Sequence, residues 1–136
     1  MEAIIEHQGG VRFAVAARGH RLITDQPVEL GGADGGMTPP ELLLASLGAC
    51  AAHYAAEYLR ARSLPSAGLR VRVSAEKAPQ PARLTEFSID VELPPLEELR
   101  HHEGILRAVK RCLIHNTMLH PPAIQVRLHA AAAAAV

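Results

Sequence analysis

Cys50 and Cys112 are the only thiols in this 136-residue chain and its clearest candidates for chemistry. Each is followed three residues later by a histidine, His53 and His115. A thiolate can attack a peroxide oxygen and become a sulfenic acid, which a second thiol converts to a disulfide. An imidazole beside either thiol could take up its proton. The spacing is therefore compatible with paired redox cysteines, provided that the two sulfur atoms meet in the fold.

Two other interpretations of these residues stay open. Free cysteine is among the most buried residue types, so both cysteines could be inert parts of the core. The two Cys-x-x-His pairs could instead supply four ligands to a tetrahedral zinc ion, although structural zinc sites usually use more closely spaced pairs on loops. We favour a site with neither metal nor other cofactor. The remaining histidines, including His101 and His102, are expected to face solvent.

The composition limits the class of protein. Fourteen basic and fourteen acidic side chains cancel, and aromatic residues are scarce, so a nucleic-acid-binding surface is not expected. Residues 1–6 contain two glutamates where a secretory signal needs basic residues. The apolar run over residues 42–52 is too short to span a membrane. We therefore expect a cytoplasmic protein, in which thiols stay reduced, with neither nucleic acid nor membrane as a partner.

The hydrophobic pattern predicts one α+β domain over residues 1–136, with an alanine-rich tail that frays from about residue 129. Alternating apolar residues favour antiparallel strands with one wet face. The predicted order is βββ-α-ββ-α-β, with strands at 4–7, 11–15, 21–24, 69–76, 86–93 and 124–128, and with helices over 38–62 and from about 95 through Cys112.

The first helix has the clearest start signal. Thr38 and Glu41 match a capping box, and proline is tolerated at the first helical positions between them. The helix is apolar on nearly every face, which predicts burial all round. Small residues such as Gly48 and Ala49 would let another backbone come close, as in a central helix packed against a partner subunit.

The glycine-rich segment 31–36 precedes this helix and has two interpretations. Backbone N–H groups at a helix N-terminus can hold an anion. The segment lacks the lysine and the Ser/Thr of a phosphate-binding P-loop, so a flexible connection is the favoured interpretation.

Three segments together resemble the OsmC/Ohr family (osmotically inducible protein and organic hydroperoxide resistance). They are residues 29–32, 36–50 and 112–119, and the two cysteines lie in the second and third of them. The resemblance extends over essentially the whole chain in the expected element order. It implies an OsmC-like fold with a long buried central helix, in an intertwined homodimer with active sites at the dimer interface.

The same resemblance implies thiol-dependent reduction of organic hydroperoxides in oxidative-stress defence. Cys50 matches the peroxidatic cysteine and Cys112 the resolving cysteine. The partners implied are a small-molecule hydroperoxide and a dithiol reductant.

One position departs from the family pattern. Family peroxidases carry a glutamate that helps an arginine to orient the reactive cysteine, and that position is Pro40 here. Glu41 follows it, about 100° further around the helix. For the arginine, Arg12 is the nearest candidate, with Arg18 and Arg21 as alternatives. The chain thus resembles a divergent OsmC-like branch, and a second hypothesis is a non-catalytic protein that binds an apolar small molecule at the dimer interface.

Overall fold

The computed structural model describes residues 1–96 and 99–130 and confirms the predicted α+β class. A short 3-10 turn, Val28–Leu30, precedes the first helix. The strands and helices are β1 (Ile4–Gly9), β2 (Arg12–Ala17), β3 (His20–Thr24), α1 (Pro39–Arg60), β4 (Arg70–Pro79), β5 (Ala82–Glu92), α2 (Leu99–Val109) and α3 (Leu113–Leu119).

The strands form two separate antiparallel sheets, as their alternation predicts. The first sheet has the order β1-β2-β3, and its first turn uses Gly9 and Gly10 at positive φ. The second sheet is the β4-β5 hairpin. Val71 pairs with Val91 there, and these side chains lie on the face that packs against the core. The hairpin therefore covers one side of α1, whereas the strands of the first sheet contact mainly one another.

Helix α1 begins with the predicted capping box. The Thr38 hydroxyl accepts the Glu41 N–H at 3.5 Å, and the Glu41 carboxylate accepts the Thr38 N–H at 2.7 Å. The Thr38 hydroxyl also donates to that carboxylate at 2.9 Å. These bonds satisfy two of the N–H groups that a helix start leaves unpaired, so the helix begins where the sequence pattern predicts.

The prediction that α1 is buried on all faces is wrong for the protomer. A single stripe is almost inaccessible, because β4, β5 and α2 pack only on that side. On the other faces Leu43 is 40 % exposed and Ala49 is also exposed. The core consists of residues from α1 and α2, namely Ala51, Ala55, Leu59, Ile105 and Val109.

The neighbour of Gly48 in the protomer is a side chain of β4. A Cβ at Gly48 would lie 3.1 Å from a methyl group of Val73, so that methyl group would have to shift slightly. Among the described residues, α1 is the one helix long and apolar enough to cross a membrane. Core helices share these properties, and the packed stripe of α1 is typical of a core helix.

The last predicted strand does not form. Residues 121–130 have no regular structure, and Ile124, Val126 and Leu128 are at least 85 % exposed. In the described part of the protomer, residues 124–128 pair with neither sheet, although both sheets have edge strands. The predicted second helix is divided at residues 110–112, where Cys112 caps α3. Residues 97–98, near the predicted start of that helix, and 131–136 of the predicted tail lie outside the described residues.

The glycine-rich segment surrounds a carboxylate of the protein itself. Asp25 is 2 % exposed and accepts N–H groups from Gln26, Ala33 and Gly35 at 2.8 to 3.1 Å. These bonds, chiefly that from Gly35, hold the Asp25 pKa below its ordinary value, and the nearby Arg12 charge adds to the effect. The segment is thus neither an empty anion cradle nor a free connection.

Two glycines of this segment are required by close backbone contacts. A Cβ at Gly32 would overlap the Gln26 carbonyl, and one at Gly36 would overlap the Ile23 carbonyl. The next residue, Met37, forms a parallel β-bridge with Thr24. The segment therefore ties the end of β3 to the start of α1.

We expect Asp25→Asn to destabilise the protein in a pH-dependent way. A depressed pKa contributes stability above the ordinary aspartate value of 3.8, and the contribution is lost as pH falls through the lower folded-state pKa. The asparagine side chain would also place an NH₂ donor beside the backbone N–H groups that donate to Asp25. Denaturant melts of both proteins should differ most near neutral pH and converge below about pH 4. A difference that stays constant over this range would contradict the role of the Asp25 charge.

Candidate active site

The two cysteines lie side by side although 62 positions separate them. Cys50 is on α1 and is partly exposed, and Cys112 is completely buried at the junction between α2 and α3. The Cys50 thiol is close enough to raise the pKa of Cys112, and both cysteines are free. The packing of α2 and α3 on α1 produces this contact.

The environment of Cys112 favours its neutral thiol. Burial raises the pKa of Cys112, and the hydrogen bond with Cys50 raises it further. Backbone N–H groups act in the opposite sense, including that of His115, which donates to Cys112 Sγ at 3.4 Å. The net shift is upward, so Cys112 is a protonated, water-shielded thiol near neutral pH.

The histidines do not use the helical spacing to pair with the thiols. His53 is exposed, its ring packs edge-on against Tyr54 at 5.6 Å, and its charge helps to lower the pKa of Glu57. His115 contacts Cys112 through its backbone, and its buried Nδ1 has no hydrogen-bond partner among the described residues. The thiol pair is thus organised by backbone and burial more than by imidazole contacts.

The zinc interpretation lacks a suitable geometry. Over residues 1–96 and 99–130, no three His, Cys, Asp or Glu side chains converge as metal ligands. The thiols of Cys50 and Cys112 meet, but His53 turns toward Tyr54.

Arg12 and Glu41 both have structural partners in the protomer. Arg12 lies next to Asp25 and the glycine-rich segment. Glu41 is nine residues before Cys50, a helical rise of about 13 Å, and its bonds to Thr38 lower its pKa. Neither side chain is among those that shift the pKa of Cys112.

A mainly apolar cavity of about 670 Å³ lies beside Pro40, at the start of α1. Its other walls come from the β4-β5 hairpin, with Leu84 on the apolar side and the cations Lys77 and Arg83 at its edge. Pro40 therefore contributes apolar surface where the family resemblance places a carboxylate.

The expectation that His101 faces solvent is wrong. His101 is partly buried, and its Nδ1 lies 3.3 Å from the Tyr58 hydroxyl. The ring of Tyr58 reaches it because Gly104 has no side chain in the way. A glycine inside a helix, one turn after a histidine, is the sequence signal for this contact; His102, by contrast, is exposed.

Several solved structures share this fold. A protein of Psychrobacter arcticus 273-4, whose name connects it with osmotic stress and detoxification, has a TM-score of 0.77 at 21 % identity, with 85 % of each chain covered. An OsmC-like protein from Mycoplasma pneumoniae has a TM-score of 0.71 at 20 % identity, over 88 % of this chain and 86 % of that one. An organic hydroperoxide resistance protein OsmC from Legionella pneumophila has a TM-score of 0.58 at 21 % identity, over 87 % and 89 %.

At these identities the structures establish a shared fold. No curated protein matches the chain in sequence. The family model described as OsmC-like protein matches residues 31–127, which include both cysteines and α1. The chain therefore belongs to the OsmC-like protein family.

Proposed function

We propose that this protein reduces organic hydroperoxides with Cys50 as the attacking thiol and Cys112 as the resolving thiol. The observation that carries the proposal is the proximity of a partly exposed and a fully buried thiol, close enough for Cys50 to raise the pKa of Cys112. A protein of the same fold from Legionella pneumophila is named for organic hydroperoxide resistance, which supports this class of substrate.

The proposed steps balance in atoms and electrons. The Cys50 thiolate attacks the terminal peroxide oxygen, the O–O bond breaks, and an alcohol leaves after taking up a proton. Cys50 is then a sulfenic acid, which the Cys112 sulfur attacks to form a disulfide and release water. A dithiol reductant exchanges with this disulfide, restores both thiols and leaves as its own disulfide.

Burial supports this division of roles. The attacking sulfur needs access to the hydroperoxide, and Cys50 is the more exposed thiol. Cys112 is shielded from water and has a raised pKa, so it is the weaker first nucleophile. It needs only to reach Cys50, which it already contacts.

Arg12 and Glu41 belong to the proposal as supporting groups. Arg12 is exposed on β2 and would provide positive charge for the Cys50 thiolate in the assembled dimer, with Arg18 and Arg21 as alternatives. Glu41 would act through its place at the start of α1. We also propose a cytoplasmic location, where a dithiol reductant is available.

We expect Cys50→Ser to abolish catalysed consumption of cumene hydroperoxide in the presence of a dithiol. Serine is close in size but cannot form the sulfenic acid. Cys112→Ser is the matched control: without added dithiol it should consume about one equivalent of hydroperoxide and lose one thiol, where wild type loses two, because its sulfenic acid has no resolving thiol. Coupled measurement of hydroperoxide loss and thiol content checks both results. Equal consumption by wild type and Cys50→Ser would refute the proposed activity.

The second part of the proposal is a homodimer that covers the open side of α1. Apolar and small residues on that side are exposed in the protomer, including Leu43, Ala45 and Ala49. The first sheet also exposes Ile4 and Ile5 at 58 % and 57 %. Apolar surface of this extent is typical of a subunit interface.

We expect wild type to have twice the mass of one chain in light scattering and Ala49→Arg to have the mass of one chain. The arginine would place a charge inside the proposed interface, at a position that is exposed in the protomer. Ala67→Arg, in an exposed turn, is the control and should leave the dimer intact. Circular dichroism would check that both variants fold. A dimeric Ala49→Arg protein would place the interface elsewhere.

The cavity at Pro40 favours a second candidate function, binding of an apolar small molecule. Its apolar walls and the cations Lys77 and Arg83 fit an apolar ligand with an anionic end. We expect the probe anilinonaphthalene sulfonate to bind saturably to Cys50→Ser protein, and Leu84→Gln to weaken binding, whereas Leu106→Gln on exposed α2 should not. Fluorescence titration measures each affinity. Equal probe binding by the Leu84 and Leu106 variants would exclude this cavity.

A further inference from the structure

Three arginines line a cavity of about 670 Å³ between α1 and α2. Arg62 follows α1, Arg107 is on α2, and Arg111 follows α2. An adjoining cavity of about 620 Å³ shares Arg62 and Arg107 and is also lined by Arg100 and His101. We name this combined region the arginine cleft. Cavities of this size are typical of small-molecule sites.

Tyr58 forms the floor of the arginine cleft and is held on three sides. A Cβ at Gly104 would overlap its ring and hydroxyl, so the glycine makes room for the ring against α2. The hydroxyl lies 3.3 Å from His101 Nδ1. Glycine is a poor helix former, and this close contact explains its place inside α2.

Tyr58 holds Arg62 in place through contacts that leave its positive charge intact. Its guanidinium lies 3.7 Å from the centre of the Tyr58 ring and donates to the Tyr58 carbonyl at 3.3 Å. Over residues 1–96 and 99–130, no carboxylate forms an ion pair with Arg62 or Arg111. A stacked guanidinium keeps its N–H edges available for an incoming acceptor.

Two acidic residues at the arginine cleft, Glu57 in the cavity wall and Glu103 on α2, are described by the structure. Glu57 is held by Arg60 through two hydrogen bonds of 2.9 and 2.8 Å, which lower the Glu57 pKa. Glu103 lies 3.6 Å from Arg107, but both side chains are more than 70 % exposed, so the pair is weak. Over the described residues, neither glutamate therefore pairs with Arg62 or Arg111.

We propose that the arginine cleft binds a small oxoanion that carries two or more negative charges. Guanidinium groups recognise carboxylate and phosphate oxygens through paired N–H bonds. Arg62, Arg107 and Arg111 come from three positions in the chain around one cavity, an arrangement that suits a ligand with several oxygens. The site uses no thiol chemistry, so it stands or fails separately from the proposed peroxidase activity.

Isothermal titration of the wild-type protein at low salt, with sodium pyrophosphate and separately with sodium citrate, tests this site. We expect saturable binding of one anion per chain that weakens as salt is added. Arg62→Gln and Arg111→Gln should each weaken it about tenfold or more, as expected for the loss of a charge-assisted hydrogen bond. Arg72→Gln is the matched control, because Arg72 is a similarly exposed arginine on β4.

The outcomes separate the two sources of oxygen ligands. Binding of pyrophosphate alone would assign the cleft to phosphate compounds, and binding of citrate alone would assign it to carboxylates. Gly104→Ala should weaken binding by displacing Tyr58 and Arg62, and circular dichroism would confirm that this variant folds. Absence of saturable binding to folded wild type would overturn the proposal, as would an equal loss in Arg72→Gln.

Discussion

One constraint governs the fold: α1 is an apolar helix of 22 residues, and other elements must cover it. The protomer covers the side that carries Leu47, Ala51 and Leu59, where small neighbouring residues let β4 and α2 pack closely. The opposite side stays exposed. Burial of apolar surface is the main driving force of folding and association, so the same helix that builds the core also provides the surface that the proposed homodimer would cover.

The thiol pair follows from how the remaining chain packs on this helix. A continuous helix after residue 99 would place Cys112 inside a regular turn. The break at residues 110–112 instead makes Cys112 the N-cap of α3, where its sulfur accepts a backbone N–H and faces Cys50. The contact between the thiols is thus a product of tertiary packing, and burial then separates an accessible sulfur from a shielded one.

Local signals in the sequence predict much of this structure. The capping box at Thr38 and the alternation in β4 and β5 involve neighbouring residues, so they identify these elements, although β4 continues to Pro79 and β5 begins at Ala82, beyond the predicted bounds of 76 and 86. Asp25 could not be found in this way, because its partners are loop N–H groups up to ten residues away. The last strand was wrongly predicted because residues 124–128 have the alternation of a strand, but local alternation does not determine whether a segment pairs with a sheet. The arginine cleft depends on Gly104, whose role appears only when Tyr58 packs on it.

The start of α1 limits how the proposed chemistry can be supported. Glu41 is held by both the N–H and the hydroxyl of Thr38, and Pro40 offers neither charge nor N–H. Arg12 faces Asp25 in its own protomer and lies on a sheet that packs little against α1. A single protomer therefore supplies the two sulfur atoms but leaves the charges of Arg12 and Glu41 engaged elsewhere. On the proposed mechanism, stabilisation of the Cys50 thiolate therefore depends on the proposed homodimer, in which the first sheet of a second subunit would lie on the open side of α1.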